Sequence, residues 1–402
     1  MITPTISSFE AKQLKATQWI TVGLTVALFF SAPAVNLFEA LLILSVISSK
    51  ILRNRLIETL QSPLCIFALL FYAAIIVAAT YSIAPPKEAW GMVSGWRKII
   101  ILPFAYAAVS SKESKELLIK VFLVTSTACL TWSFLSYTFP DTFFYTNLPG
   151  IIIKNHATQG IFFGIAVLIA MIFANRITSL PAYKLLLYGF IALTLFNIAT
   201  ITIGRSGYVA VTILVFSAAI YQIQHLSTVK KLIVIGLVAI LTIGIFMSFQ
   251  TSRDRISLGI QEFTHVKTEG DAGSMGVRHY WWNHSINMIK KNPIFGLGTG
   301  AFEEGLNQEI KGLSGPAATK TNDPHNQYLK ILVEQGFFGF IIFLGFIVSA
   351  FMSRNISQPY KLIGLGILTS WCATSLANSH FSTFHEGHFI WFWLGAMLAS
   401  EK

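Results

Sequence analysis

Three stretches of this sequence set a cation or an imidazole at the edge of an apolar run. In ITIGRSGYVA (201–210), Arg205 stands between two apolar segments, with Gly204 before it and Gly207 two places on. An arginine at the centre of a membrane helix costs about 2.5–3.5 kcal/mol on insertion scales, and less near an end. Either it snorkels to the interface or an anion holds it, and the small glycines leave room around the guanidinium for a phosphate. Arg278 lies near the start of a second stretch, GVRHYWWNHSINMIKK (276–291), where a phosphate and a lipid headgroup are the alternatives. The third is TNDPHNQYLKILVEQGFFGF (321–340). Asn322 or Asp323 is a good N-cap and Pro324 suits the first helical position, so the spacing predicts His325 in the first turn of a long apolar helix. Unpaired N–H groups at such an end attract anions, and their positive potential keeps an imidazole neutral and able to accept a proton. Asn326 is placed to fix its tautomer. The bland reading of the same histidine is a polar cap at a membrane mouth.

Other residues support or compete with these. Glu334, further along the same helix, is read as a buried partner for a basic group. His156 in IIIKNHATQG (151–160) stands at another apolar mouth and is expected to line the same cavity. FGLGTGAF lacks the Lys-Ser/Thr of a P-loop and reads as a turn. NSHFSTFHEGH sets His380, His385, Glu386 and His388 close together, but the spacing matches no tight metal-ligand pattern and packing at the interface is preferred. Trp96, Arg97 and Lys98 are read as headgroup contacts, and Lys290 and Lys291 as complements to a helix dipole. Glycosyltransferases that use a metal need paired carboxylates in an outer loop. The first outer loop here is APAV (32–35), with no acid, and no D-x-D occurs. No metal and no cofactor are expected, so arginines would have to neutralise any diphosphate.

The elements that must position these residues are apolar helices. Of 402 residues, 54% are hydrophobic and only 12% charged, and the mean hydropathy is +0.63. Soluble domains carry about 25% charged residues, so this is a polytopic membrane protein. Cys65, Cys129 and Cys372 all fall in apolar runs, which argues against a disulfide framework. The N-terminus lacks the pattern of a cleaved signal, and its first apolar run is expected to remain as an anchor.

Twelve apolar runs are visible, at about 17–32, 35–49, 63–84, 98–111, 117–139, 158–175, 185–204, 206–222, 232–249, 327–352, 361–378 and 388–400. An even number puts both termini on one side. That side then holds 15 basic residues against five acidic ones, so nearly all of the formal charge of +11 is topological and gives no hint of nucleic acid. Both termini are expected in the cytoplasm, and a long loop at 250–326 outside. Eight of the nine histidines fall on the outer side. Within that loop, 276–291 reads as a helix ended by Asn292-Pro293, preceded by a flexible GDAGSMG (270–276), with Trp281 and Trp282 at headgroup level. The chain reads as one all-α transmembrane domain, 1–402, with no internal repeat.

GRSG at 204–207, GVRHYWWNHSINMIKKNPIFGLGTGAFEE at 276–304 and DPHNQYLKILVEQGFFGFIIF at 323–343 resemble the O-antigen ligase and polymerase superfamily of bacterial envelope enzymes. The likeness covers about 140 residues in order, and HNQYLKILVEQGFFG is its most specific part. What it implies is a GT-C-like membrane fold and a metal-independent glycosyltransferase in the bacterial inner membrane, multi-pass, with its active site facing the periplasm. The donor would be a glycan on undecaprenyl diphosphate, and the acceptor in the ligases a sugar hydroxyl of lipid A–core. By matching positions, Arg205 and Arg278 would bind the donor diphosphate and His325 would activate the acceptor hydroxyl; Asn326, Asp323, His156 and Glu334 would support them. In-line displacement at the anomeric carbon predicts inversion.

Of the activities this resemblance allows, the ligase is preferred. The polymerase, which joins lipid-linked repeats, shares the chemistry and differs in acceptor. Protein O-oligosaccharyltransferases tend to carry a further C-terminal portion, and this sequence stops soon after its last apolar run. A transporter for a lipid-linked glycan would favour internal repeats and charges near the midplane. The charges here gather at one face. Membrane lipids are the remaining expected partners.

Overall fold

The computed structural model describes residues 7–141, 148–174, 181–264 and 273–401. Among them every regular element is helical. In chain order these are α1 (Ser8–Phe30), α2 (Ala32–Ser48), α3 (Lys50–Thr59), α4 (Pro63–Thr80), α5 (Pro86–Trp96), α6 (Ile101–Ala108) and α7 (Lys112–Thr138). There follow α8 (His156–Ala174), α9 (Pro181–Thr200), α10 (Arg205–Gln222), α11 (Thr228–Ser248) and α12 (Gln250–Thr264). The last are α13 (Ser274–Lys291), α14 (Phe302–Glu309), α15 (Gln327–Phe351), α16 (Gln358–Thr374) and α17 (Phe384–Met397). Short 3-10 turns occupy Arg97–Ile100 and Gly315–Ala318.

Each of the twelve apolar runs falls on a helix. Among the described residues six helices are long and apolar enough to cross a membrane alone: α4, α7, α8, α9, α11 and α15. The bent pair α2–α3 raises that to seven; its two halves meet at 100°. The bend has a compositional cause, since α2 is apolar while α3 carries Lys50, Arg53 and Arg55. The expected helix at 276–291 is there, one turn or less longer at its start. Of the flexible lead-in, 270–272 lie outside the described residues, as do the basic-face residues Arg176 and Lys402.

Helix starts follow a repeated local rule. Ser7, Ser31, Ser49, Ser62 and Ser111 each accept a backbone N–H three residues on. In hydrocarbon no water can satisfy those donors, so the caps must be supplied by the chain itself.

Two glycine contacts decide how the site is placed. A Cβ on Gly207 of α10 would lie 3.0 Å from the Gly160 Cα of α8, and one on Gly204 would lie 3.0 Å from the His156 carbonyl. These glycines admit the neighbouring backbone, the usual role of small residues between membrane helices. They do not open a space around Arg205, as the sequence had suggested. Their closeness sets His156 beside the N-terminus of α10.

The second contact is a break in α15 at Gly336, where φ is +63°. Residues 293–298 dock into it. Leu297 and Gly298 donate their N–H groups to the carbonyls of Val333 and Glu334 at 2.8 and 2.9 Å. Phe337 and Phe338 donate theirs to Pro293 and Ile294 at 2.8 and 3.0 Å. Backbone groups freed by the break are thus re-satisfied inside the protein, the condition for irregular backbone at membrane depth. Thr299 completes the dock by donating from its hydroxyl to the Ile75 carbonyl of α4 at 2.7 Å. FGLGTGAF is therefore a turn, as read, but a buried one wedged between α4 and α15.

Candidate active site

Arg205 is the first residue of α10, and no side chain caps that helix. Its Nη1 lies 3.0 Å from the Glu262 carboxylate of α12, which also accepts the Met275 N–H at 3.3 Å. Arg278, on the first turns of α13, donates from Nη1 to the Ala377 carbonyl at 3.0 Å. Burial and the nearby charge of Arg205 both lower the pKa of Arg278 from the ordinary arginine value. Two like charges that act on each other at a partly buried site favour an anion nearby.

His325 is not in the helix. The N-cap of α15 is Asn326, whose Oδ1 accepts from Tyr328 and Leu329 and whose Nδ2 donates to the Leu376 carbonyl. This corrects the expected Asn322 or Asp323 cap and leaves Asn326 no role on the imidazole tautomer. His325 instead adopts φ +52°, a left-handed conformation uncommon for a residue with a side chain. Asp323 holds it there: its Oδ1 accepts the His325 N–H at 2.7 Å and the Ser379 hydroxyl at 2.7 Å. The Asp323 Oδ2 takes Lys330 of α15 at 3.2 Å.

On the other side of the ring stands α13. The Trp281 ring stacks on His325 at 5.6 Å with a 28° interplanar angle. The indole N–H of Trp281 donates to the Thr319 carbonyl and that of Trp282 to the Pro324 carbonyl, at 2.8 and 2.9 Å. His284 adds a contact from Nε2 to the Ala317 carbonyl at 3.1 Å. The paired tryptophans thus bind the 317–325 backbone and are not headgroup anchors. Burial, then the Arg278 charge, pushes His325 below the ordinary imidazole range, with Asp323 opposing. Burial raises Asp323, but Lys330, the Ser379 hydroxyl and the His325 N–H outweigh it and hold the carboxyl below its usual range.

The hub is the turn 375–380, whose end, Asn378-Ser379-His380, the sequence suggested only as packing at the interface. Ser375 and Asn378 offer carbonyls to the Gln327 N–H, Leu376 binds Asn326, and Ala377 binds Arg278. The Asn378 amide donates to the Ser206 hydroxyl at 2.8 Å, and Ser379 binds Asp323. One turn therefore gathers α10, α13 and the start of α15. The polar run Asn378-Ser379-His380 after an apolar stretch was the available signal.

The supporting residues divide. Asp323 and Asn326 are structural parts of the site, and His156 lies beside Gly204 with its Nδ1 buried and unpaired. Glu334 is buried just before the break in α15. Lys330, one turn earlier, is its basic neighbour, although the ammonium itself lies on Asp323. Lys98 is buried as well, donating to the Ser382 and Thr383 carbonyls at 2.6 Å each, and Trp96 lies in the core, so neither touches headgroups. Glu386 accepts the hydroxyls of Thr158 and Thr383 at 2.5 and 2.8 Å, a packing role. Among the described residues no three His, Cys, Asp or Glu side chains converge as metal ligands. The chain's E-x-D, Glu269 with Asp271, lies outside them.

Arg205 also lines an open, mainly apolar cavity of about 700 Å³. Tyr208 and Thr212 of α10, Phe246 of α11 and Ile256 of α12 line it as well.

A family model described as O-antigen ligase matches residues 190–344, from α9 through α15. An uncharacterized protein of Haemophilus influenzae is 27% identical over 170 residues, which is 40% of this chain and 41% of that one. The matched segment contains Arg205, Arg278 and His325, whereas the 375–380 turn that gathers their elements lies beyond it. Residues 190–344 are thus similar to the O-antigen ligase family.

Proposed function

We propose that this protein is an O-antigen ligase, moving a glycan from undecaprenyl diphosphate to a sugar hydroxyl of lipid A–core at the periplasmic face of the inner membrane. The observation that supports this reading is that Arg278, Ser206 beside Arg205 and Asp323 beside His325 all bond to the 375–380 turn, while Arg205 lines an apolar cavity. A polyprenyl chain would lie in the cavity, bringing its diphosphate to Arg205 and Arg278. His325, kept neutral by burial and by Arg278, would take the proton of the acceptor hydroxyl as its oxygen attacks the anomeric carbon. The bond from that carbon to the diphosphate breaks, and undecaprenyl diphosphate leaves with the electron pair. Attack opposite the leaving group inverts the anomeric centre.

A positioned base typically contributes about 10²–10⁴-fold. Fixed cations at a departing diphosphate act in a partly dry site, where they need no reorganisation as charge builds. The guanidinium suits this task because its planar fork matches phosphate oxygens. With that charge supplied by two arginines, transfer is expected to persist in EDTA.

The polymerase reading shares each of these steps. Deleting the gene and inspecting the lipopolysaccharide on a gel, with lipid-linked glycan measured alongside, separates the two. Loss of a ligase leaves bare core while long lipid-linked polymer accumulates. Core capped by a single repeat would instead mark a polymerase, and neither pattern would remove both acceptor assignments.

A further inference from the structure

We propose that Lys330 is a positioning residue of this site: from inside α15 it anchors the Asp323 carboxylate, and through it sets the conformation that presents His325 to the acceptor. The inference rests on His325 being the base.

A lysine buried in a membrane helix is costly and calls for a partner. Lys330 is 5% exposed, and its ammonium lies on the Asp323 Oδ2 at 3.2 Å. The other oxygen of that carboxylate holds the His325 N–H and the Ser379 hydroxyl. The pair therefore joins a span, the catalytic loop and the 375–380 turn in one chain of contacts. What that chain fixes is a left-handed backbone at a residue with a Cβ, a conformation that persists only when its surroundings over-determine it. Without the ammonium, a buried carboxylate would lose its counter-ion and either rotate away or bind a proton. Either response releases the His325 N–H.

The charges at the imidazole come from every side. Arg278 faces it from α13, Asp323 from its own loop, Lys330 from α15 and His380 from the 375–383 loop. Lys330 in turn faces Glu334, and His380 faces Glu386. Lys330 opposes protonation of the ring and Asp323 favours it. K330M removes that opposing charge and, by releasing Asp323, the larger favouring one, so the ring should protonate at lower pH and the acid limb of the rate profile should move down. K330R retains the charge and should leave the limb in place.

The test uses the full-length enzyme in lipid nanodiscs with lipid-linked glycan and lipid A–core, following kcat and donor KM from pH 5 to 8. K330M is expected to lower kcat by about 10²-fold, the scale of a small misplacement of a reacting group, with donor KM within about two-fold. Its acid limb should move down, and K330R should recover most of the rate. Wild-type kcat and an unmoved limb in K330M would overturn the proposal, as would a defect confined to donor KM. Should K330M fail to fold, D323N carries the test. A lower kcat with a limb moved down supports the chain of contacts, and a wild-type profile refutes it. H325A distinguishes the two levels: an active H325A defeats the reading of the base, whereas an inactive H325A beside a wild-type K330M defeats only this inference.

Discussion

Glu262 sits on Arg205, its carboxylate 3.0 Å from the guanidinium. A carboxylate thus occupies one of the cations assigned to the donor diphosphate. On the proposed reading, binding of that donor displaces the carboxylate. Partly exposed ion pairs are worth about 0.2–1 kcal/mol, so E262Q should lower the donor KM by about two- to five-fold. A donor titration with the purified variant checks the sign. A raised KM would show that Glu262 orients Arg205 and does not compete for it.

The two arginines should fail differently from the base. R205A and R278A remove charge from the leaving group and are each expected to cost about 10²–10³-fold in rate. R278K should recover little, because an ammonium cannot reproduce the fork that binds phosphate and the Ala377 carbonyl together. H325A should lose about 10²–10⁴-fold with donor affinity retained. Turnover of lipid-linked glycan, with donor binding measured separately, tells these losses apart.

Activity should survive mild acid. An imidazole ordinarily titrates near about 6.5, and burial together with Arg278 lowers the value for His325. A lowered pKa keeps the ring neutral, and therefore basic, as pH falls through the ordinary range. The rate is expected to hold as the pH falls through the ordinary imidazole range and to decline only below it. A profile of kcat against pH decides this, and an acid limb centred above about 6.5 would contradict the electrostatics described.

Trp281 should matter through His325. Its ring stacks on the imidazole, and an aromatic pair contributes about 0.5–1.5 kcal/mol. W281A is expected to lower kcat by about two- to ten-fold more than W281F, which keeps a ring but not the N–H to Thr319. Equal rates in the two variants would show that the indole hydrogen bond, and not the stack, supports the loop.

Gly336 is the position most sensitive to a single methyl. A Cβ there would lie 2.3 Å from the Ile294 carbonyl oxygen, on a backbone with φ of +63°. Strain of that kind alone costs about 1–3 kcal/mol, and the clash adds to it. G336A should lower the melting temperature markedly and reduce accumulation in the membrane. Gly189, whose Cβ would meet nothing within 4 Å, is the control and should tolerate alanine.

The sequence by itself determined the membrane class, the helical positions of the apolar runs and the identity of the three candidate groups. These are local properties: hydropathy acts over about 20 residues, and an arginine between apolar runs is conspicuous wherever the chain later goes. The short-range reasoning failed at the start of α15, where Asp323 has the chemistry of an N-cap but spends its carboxylate on His325, Ser379 and Lys330. Asn326 caps instead, because the left-handed turn at His325 delays the helix by three residues. Only the tertiary structure decided that Ser206, Arg278 and Asp323 meet at one turn, 375–380, from positions far away in the chain. Only it showed that the break at Gly336 is filled by residues 293–298. Both depend on hydrogen bonds between segments that no local pattern pairs, made obligatory by a bilayer that leaves a buried peptide group no other partner.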